Sequence, residues 1–188
     1  GRVHIQIFHE ACSQLGNMPA TSARQFITKL AKIIQEDGEI GLLDALLIEK
    51  VKAELNLLPI HRPTSIEEVK PQIVRLIDAL LHVQQLNSAN QLKVRYKILE
   101  RVLSLEELEL YEEISDEPID LGEIMNDIAG LLLRDRLSIL GVAEICLWHD
   151  RIITQDELDV LELLYWRLGF ESAEIVDQMH KKNSVIIV

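Results

Sequence analysis

The run Leu42-Leu43-Asp44-Ala45-Leu46-Leu47-Ile48-Glu49-Lys50-Val51-Lys52-Ala53-Glu54-Leu55-Asn56-Leu57 decides the fold class. Its apolar residues recur at three and four rather than at two, the period of a helix and not of a strand. Leu42, Leu43, Leu46, Leu47, Val51 and Leu55 cover most of the circumference, so this helix is central and is packed on more than one side. It stops before Pro59 and Pro63, whose rings cannot continue a helix.

The same period extends in both directions. A first segment from about Val3 to Gly16 ends at Gly16-Asn17-Met18-Pro19. Thr21 or Ser22 then caps a helix with the stripe Phe26, Ile27, Leu30, Ile33 and Ile34, closed by Asp37-Gly38. Downstream, Thr64 and Ser65 with Glu67 and Glu68 read as a doubled capping box. Pro71 then demands either a short turn before it or a kink, within a helix reaching about Leu86. A helix from about Gln91 to Leu103 places Leu92, Tyr96, Leu99 and Val102 on one side and Lys93, Arg95, Lys97 and Arg101 around the others, a basic but solvated surface. Ser104-Leu105-Glu106-Glu107 caps an acidic helix to about Ile114. Asp120 with Glu123 caps the next, a further helix starts near Ser138, and Thr154-Gln155-Asp156-Glu157 opens one that closes at Gly169.

These elements make an all-α protein, a single-domain bundle of about eight to nine helices over residues 1–183 with an apolar tail at 184–188. With 188 residues the chain can bury roughly 70% of the surface that its unfolded form exposes, enough for one core without staples. Cys12 and Cys146 are too few and too far apart for a disulfide framework, which points to buried thiols and a cytoplasmic setting. No apolar stretch reaches the length of a membrane span, although peripheral contact with a membrane is compatible with the basic helix. A net charge of −12 argues against a nucleic-acid partner, because such proteins gain affinity by neutralising phosphates.

Two segments, about 22–58 and 135–170, resemble each other. Asp37-Gly38-Glu39-Ile40-Gly41-Leu42-Leu43-Asp44 leads to Glu49 and Leu55, and Asp150-Arg151-Ile152-Ile153-Thr154-Gln155-Asp156-Glu157 leads to Glu162 and Leu168, with a constant offset of 113 residues (150 − 37). In both, a turn at Asp precedes an inserted isoleucine and a helix with an acidic first turn, where the helix dipole favours anions. A duplicated helical hairpin gives one bundle with approximate internal symmetry.

The pattern of an apolar helix, Asp-Gly-Glu-Ile and a helix ending in Leu-Gly-Leu resembles the tellurite-resistance TerB family. The second copy, His149 to Glu157 followed by Arg167-Leu168-Gly169-Phe170, is the nearer match. The resemblance implies a helical bundle, a role in stress responses, and divalent-cation sites at the hairpin turns. By position these would be Asp37, Glu39 and Asp44 in the first copy and Asp150, Asp156 and Glu157 in the second. The chain departs from the family at Gly41-Leu42-Leu43, where a cap and acids are usual, and at Arg151, which replaces a glycine.

No catalytic constellation is present: the chain lacks HExxH, CxxC and glycine-rich phosphate loops, and Cys146 lies in an apolar stripe as a core thiol. The leading expectation is a non-enzymatic TerB-like stress module with a divalent cation as its one implied cofactor. The alternative is an adaptor that binds a protein partner through an apolar helix face or the acidic helix, with no metal; a protein partner or a homo-oligomer is expected in either case. The tail Val185-Ile186-Ile187-Val188 either adds as a strand to a partner or packs back on the bundle.

Overall fold

The computed structural model describes residues 10–13, 15–36, 41–84, 88–111, 120–150, 152–171 and 186–187. Among them the chain is all-α, with helices α1 (Ala20–Glu36), α2 (Leu42–Glu54), α3 (Lys70–Val83), α4 (Ser88–Leu99), α5 (Leu105–Leu110), α6 (Leu121–Ala129), α7 (Leu133–Leu147) and α8 (Gln155–Arg167). Residues 10–13 add a helical turn. No helix among the described residues is long and apolar enough to cross a membrane.

Helix α3 is the centre of the bundle. It packs on α6 and α7, while α2 lies against α8, α6 and α1, and α4 covers α3 and α7. Ile73, Leu76, Ile77, Leu80 and Leu81 of α3 are each no more than 2% exposed. Burying a side chain of this kind is worth roughly 1.5–3 kcal/mol, so α3 contributes more apolar stabilisation than any outer helix. A smaller cluster, Cys12, Ala23, Val51 and Leu55, joins α1 to the back of α2. Helix α2 is therefore buried on two sides, as its all-round apolar sequence demands.

Pro71 is accommodated by a turn before the helix. Residues 66–69 form that turn, with the Ser65 amide (3.0 Å) and the Thr64 hydroxyl (2.8 Å) donating to Glu68. Pro71 then falls in the first turn of α3, where its missing N–H is not needed. Helix α7 begins at Leu133 and not near Ser138, because its entry is held without a capping side chain. Buried Leu131 anchors the chain, and the amides of Asp135 and Arg136 both reach the Leu132 carbonyl at 3.0 Å. A cap-based reading has nothing to detect there.

The apolar tail packs back. Ile186–Ile187 (β2) pairs in parallel with Ile152–Ile153 (β1), in the register Ile152↔Ile186 and Ile153↔Ile187. Ile153 is buried against Leu158 and Trp148, which gives this short pairing an apolar base.

Candidate functional site

Where both are described, the two similar segments correspond in helix bounds and helix ends at the same offset. Helices α2 and α8 are each 13 residues long and begin and end in register. At the N-terminus of α2 the Gly41 amide donates to Asp44 Oδ2 at 3.2 Å, and at that of α8 the Thr154 amide donates to Glu157 Oε2 at 2.6 Å. Only the second copy has a side chain able to complete the box, and the Thr154 hydroxyl accepts from the Glu157 amide at 3.3 Å. At the C-termini the amides of Leu55, Asn56 and Leu57 bond the carbonyls of Val51, Ala53 and Lys52, and those of Leu168, Gly169 and Phe170 bond Leu164, Trp166 and Tyr165. The residue after each C-cap is left-handed, Asn56 at φ 55° and Gly169 at φ 85°.

This equivalence fixes where the candidate carboxylates lie. Asp37 and Glu39 fall outside the described residues. Asp44 is half-buried and holds the Gly41 amide. Asp150 is exposed and its Oδ1 accepts from the Ile152 amide at 3.0 Å, closing the turn into β1. Asp156 is exposed in the first turn of α8, and Glu157 is buried with its carboxylate on Thr154. Three of the four described acids thus terminate backbone hydrogen bonds. Among the described residues no group of three His, Cys, Asp or Glu side chains is placed to hold a metal ion.

Cys146 is fully buried, and burial pushes its thiol up to about 12, with the Asp78 charge adding to the shift. The His149 ring nitrogen lies 3.2 Å from the Cys146 backbone carbonyl rather than facing the thiol, and Gln84 donates to that same carbonyl at 2.7 Å. This is the end of a helix being satisfied, and the thiol is a core group far from thiolate chemistry. Cys12 is likewise buried, with its thiol pushed up by burial and then by Glu54.

Among the described residues, two ion pairs are buried on both sides. Glu49 accepts from Arg167 Nε at 3.1 Å and also from Lys52 at 2.8 Å, joining α2 to α8. Asp78 accepts from Arg95 Nε at 2.6 Å and Nη2 at 3.3 Å, while Nη1 donates to the Tyr111 carbonyl, so α3, α4 and the end of α5 share one guanidinium. Arg95 is therefore not part of a solvated basic surface. The buried stripe of α4 is Gln91, Arg95, Ile98 and Leu99, and Leu92 and Tyr96 face outward. The sequence carried the signal in the i, i+4, i+7 spacing of Gln91, Arg95 and Ile98, but polar residues at two of the three positions hid it.

Among the described residues, Phe26, Ile33, Ile60 and Ile152 are exposed at scattered positions, and the other exposed large apolar side chains form two groups. One follows α7, with Leu132, Leu133, Leu137 and Ile145 all exposed; the other follows the corner of α4 and α5, with Leu92, Tyr96, Leu105 and Leu110. A cavity of about 390 Å³ between α1 and the last turn of α2 has Arg24 and Lys52 on its polar side and Ile27 and Leu57 on its apolar side. No family model, curated protein or solved structure matches the chain.

Proposed function

We propose that this chain is a non-enzymatic, TerB-like helical module that acts by binding an amphipathic helix of a partner protein along the outer face of α7. The observation that carries this reading is that α7 is apolar on two sides. Ile139, Leu140, Ala143, Cys146 and Leu147 fill the core, and Leu133, Leu137 and Ile145 lie outside, at 55%, 48% and 37% exposure. Gly141 completes the outer line at the i+4 step between Leu137 and Ile145, and a Cβ there would meet nothing within 4 Å. The row rises about 18 Å at 1.5 Å per residue, winding about 40° around the helix at each step, with a hollow near its middle. That is the shape into which a helix lays apolar residues spaced at i and i+4. Exposed apolar residues in a contiguous line are unfavourable unless covered in use.

The matching turns of α2 and α8 support the TerB-like reading, and a role in stress responses comes with it. A divalent cation at the hairpin turns is the competing form of the same reading. It is disfavoured because Asp44, Asp150 and Glu157 already accept from backbone amides.

The test is capture from an extract of the source cells with the chain and with Leu137→Glu, each with and without chelator. The expected result is a partner retained by the wild-type chain and lost with Leu137→Glu. Chelator leaves it bound, and its binding fragment reduces to a helix with apolar residues at i and i+4. Equal retention by Leu137→Glu, with an unchanged circular dichroism spectrum, overturns the docking face. Release by chelator transfers the function to the carboxylates, and a cation that binds the folded chain would then raise its melting temperature.

A further inference from the structure

The exposed faces of α4 and α5 each combine two large apolar residues with two charges, and the charges are of opposite sign. On α4 the exposed residues Leu92, Lys93, Tyr96 and Lys97 fall at i, i+1, i+4 and i+5, continued by Glu100 and Arg101 into the corner. On α5 the exposed residues Leu105, Glu106, Glu109 and Leu110 occupy the same i, i+1, i+4, i+5 positions, with the two acids lying between the two leucines. Leu105 and Leu110 are 75% and 78% exposed, and Leu92 and Tyr96 are 47% and 50% exposed. The apolar residues of these faces belong to no core cluster, while the opposite sides of both helices are anchored. Arg95 binds Asp78 and the Tyr111 carbonyl, Leu108 enters the main core, and Glu107 is held by Lys70 at 2.7 Å. The corner is thus an anchored platform whose outer surface is not covered by any other described residue.

We infer that the α4–α5 corner is a self-association surface, its occupant being the same corner of a second copy of this chain. The basic apolar face and the acidic apolar face are both exposed in the single chain, so neither covers the other within one copy. Between copies they can meet. Two chains related by a two-fold axis through the corner place α4 of each against α5 of the other, so the contact is made twice and closes as a dimer. Leu92 and Tyr96 then cover Leu105 and Leu110, and Lys93 and Lys97 oppose Glu106 and Glu109. Arg101 and Glu100 lie nearest the axis, where each meets the other's counterpart. On a chain with a net charge of −12, like copies repel at long range, so an interface between them requires local charge complementarity of this kind.

The experiment is sedimentation equilibrium of the full chain over a wide concentration range, at low and high salt. It compares the wild type with Lys93→Glu/Lys97→Glu, with Glu106→Lys/Glu109→Lys, and with the variant carrying all four substitutions. All eight side chains of the two faces are exposed, so the fold tolerates these changes. The expected result is a dimer whose dissociation constant rises about tenfold or more in either charge-reversed variant and returns in the four-fold variant. Salt weakens the wild-type and four-fold dimers alike. A monomer at every concentration overturns the inference, as does a dimer indifferent to both reversals or one that the four-fold variant fails to restore. A dimer lost with Leu137→Glu and kept in the charge-reversed variants assigns self-association to α7, and likewise overturns it.

Discussion

Replacing Glu49 by Met leaves one buried charge without its counter-ion, and the cost depends on which partner is removed. Glu49 and Arg167 are 3% and 1% exposed, and Lys52, the second cation on Glu49, is 31% exposed. In Glu49→Met, Lys52 swings into water, but Arg167 cannot, and its Nη2 is already buried without a hydrogen-bond partner. Removing one member of a buried pair costs about 3–5 kcal/mol when the other is stranded. In Arg167→Met, by contrast, the Glu49 carboxylate keeps Lys52 at 2.8 Å and loses one charged hydrogen bond, a loss of about 1–3 kcal/mol. For a chain of this size each kcal/mol moves the melting temperature by about 2–4 °C, so the two variants melt lower by about 6–20 °C and about 2–12 °C respectively. The double variant, with two thioethers filling the space, is more stable than Glu49→Met alone. Urea unfolding followed by circular dichroism measures this, with the slope m serving as the check that both variants unfold from comparable native states. Arg167→Met as damaging as Glu49→Met, or a double variant worse than either, would refute the reasoning that stranded charge sets the cost.

Two glycines make opposite predictions. A Cβ at Gly130 would lie 2.1 Å from the Arg62 carbonyl oxygen, so Gly130→Ala forces the backbone apart and lowers stability by at least about 2 kcal/mol. A Cβ at Gly141 meets nothing, so Gly141→Ala raises stability by up to about 1 kcal/mol through helix propensity. Thermal unfolding of both should show the melting temperature moving in opposite directions. For pH, the hydrogen bond from Lys70, then those from Ser104, hold the Glu107 carboxyl down at about 2 against an ordinary value of 4.5. Its contribution is complete above pH 4.5 and is lost as the pH falls toward 2. The urea midpoint of the wild type therefore drops more steeply between these values than that of Glu107→Gln.

The helical period, the caps at Ser104, Asp120 and Thr154 and the left-handed close at Gly169 were legible because each is written in residues adjacent in sequence. The 113-residue offset was legible for the same reason, since both copies state the same short rules. What stayed hidden depends on pairs far apart in sequence. Nothing around Glu49 announces Arg167, and Arg95 looks like a surface arginine until Asp78 is placed beside it. The orientation of α4 was misread by one residue, about 100° of rotation, because Gln91 and Arg95 occupy buried positions that hydrophobic counting assigns to solvent. The turn carboxylates were visible as acids near helix starts. Their bonds to backbone amides are a matter of geometry, and they tie Asp44 and Glu157 to the starts of the helices that bear them.

The left-handed residue, the carboxylate on the N-cap amide and the helix length agree between α2 and α8, yet the ion pair that joins them does not repeat. By the 113-residue offset, the counterparts of Glu49 and Arg167 are Glu162 and Glu54, two acids that cannot pair with each other. Two separate, identical hairpins would have to present the same residue on both sides of their junction. Tandem copies in one polypeptide are free to diverge, one supplying the acid and the other the base. That divergence acts as a key. Glu49 accepts only the second hairpin in the second hairpin's place, so a neighbouring molecule's first hairpin cannot substitute for it.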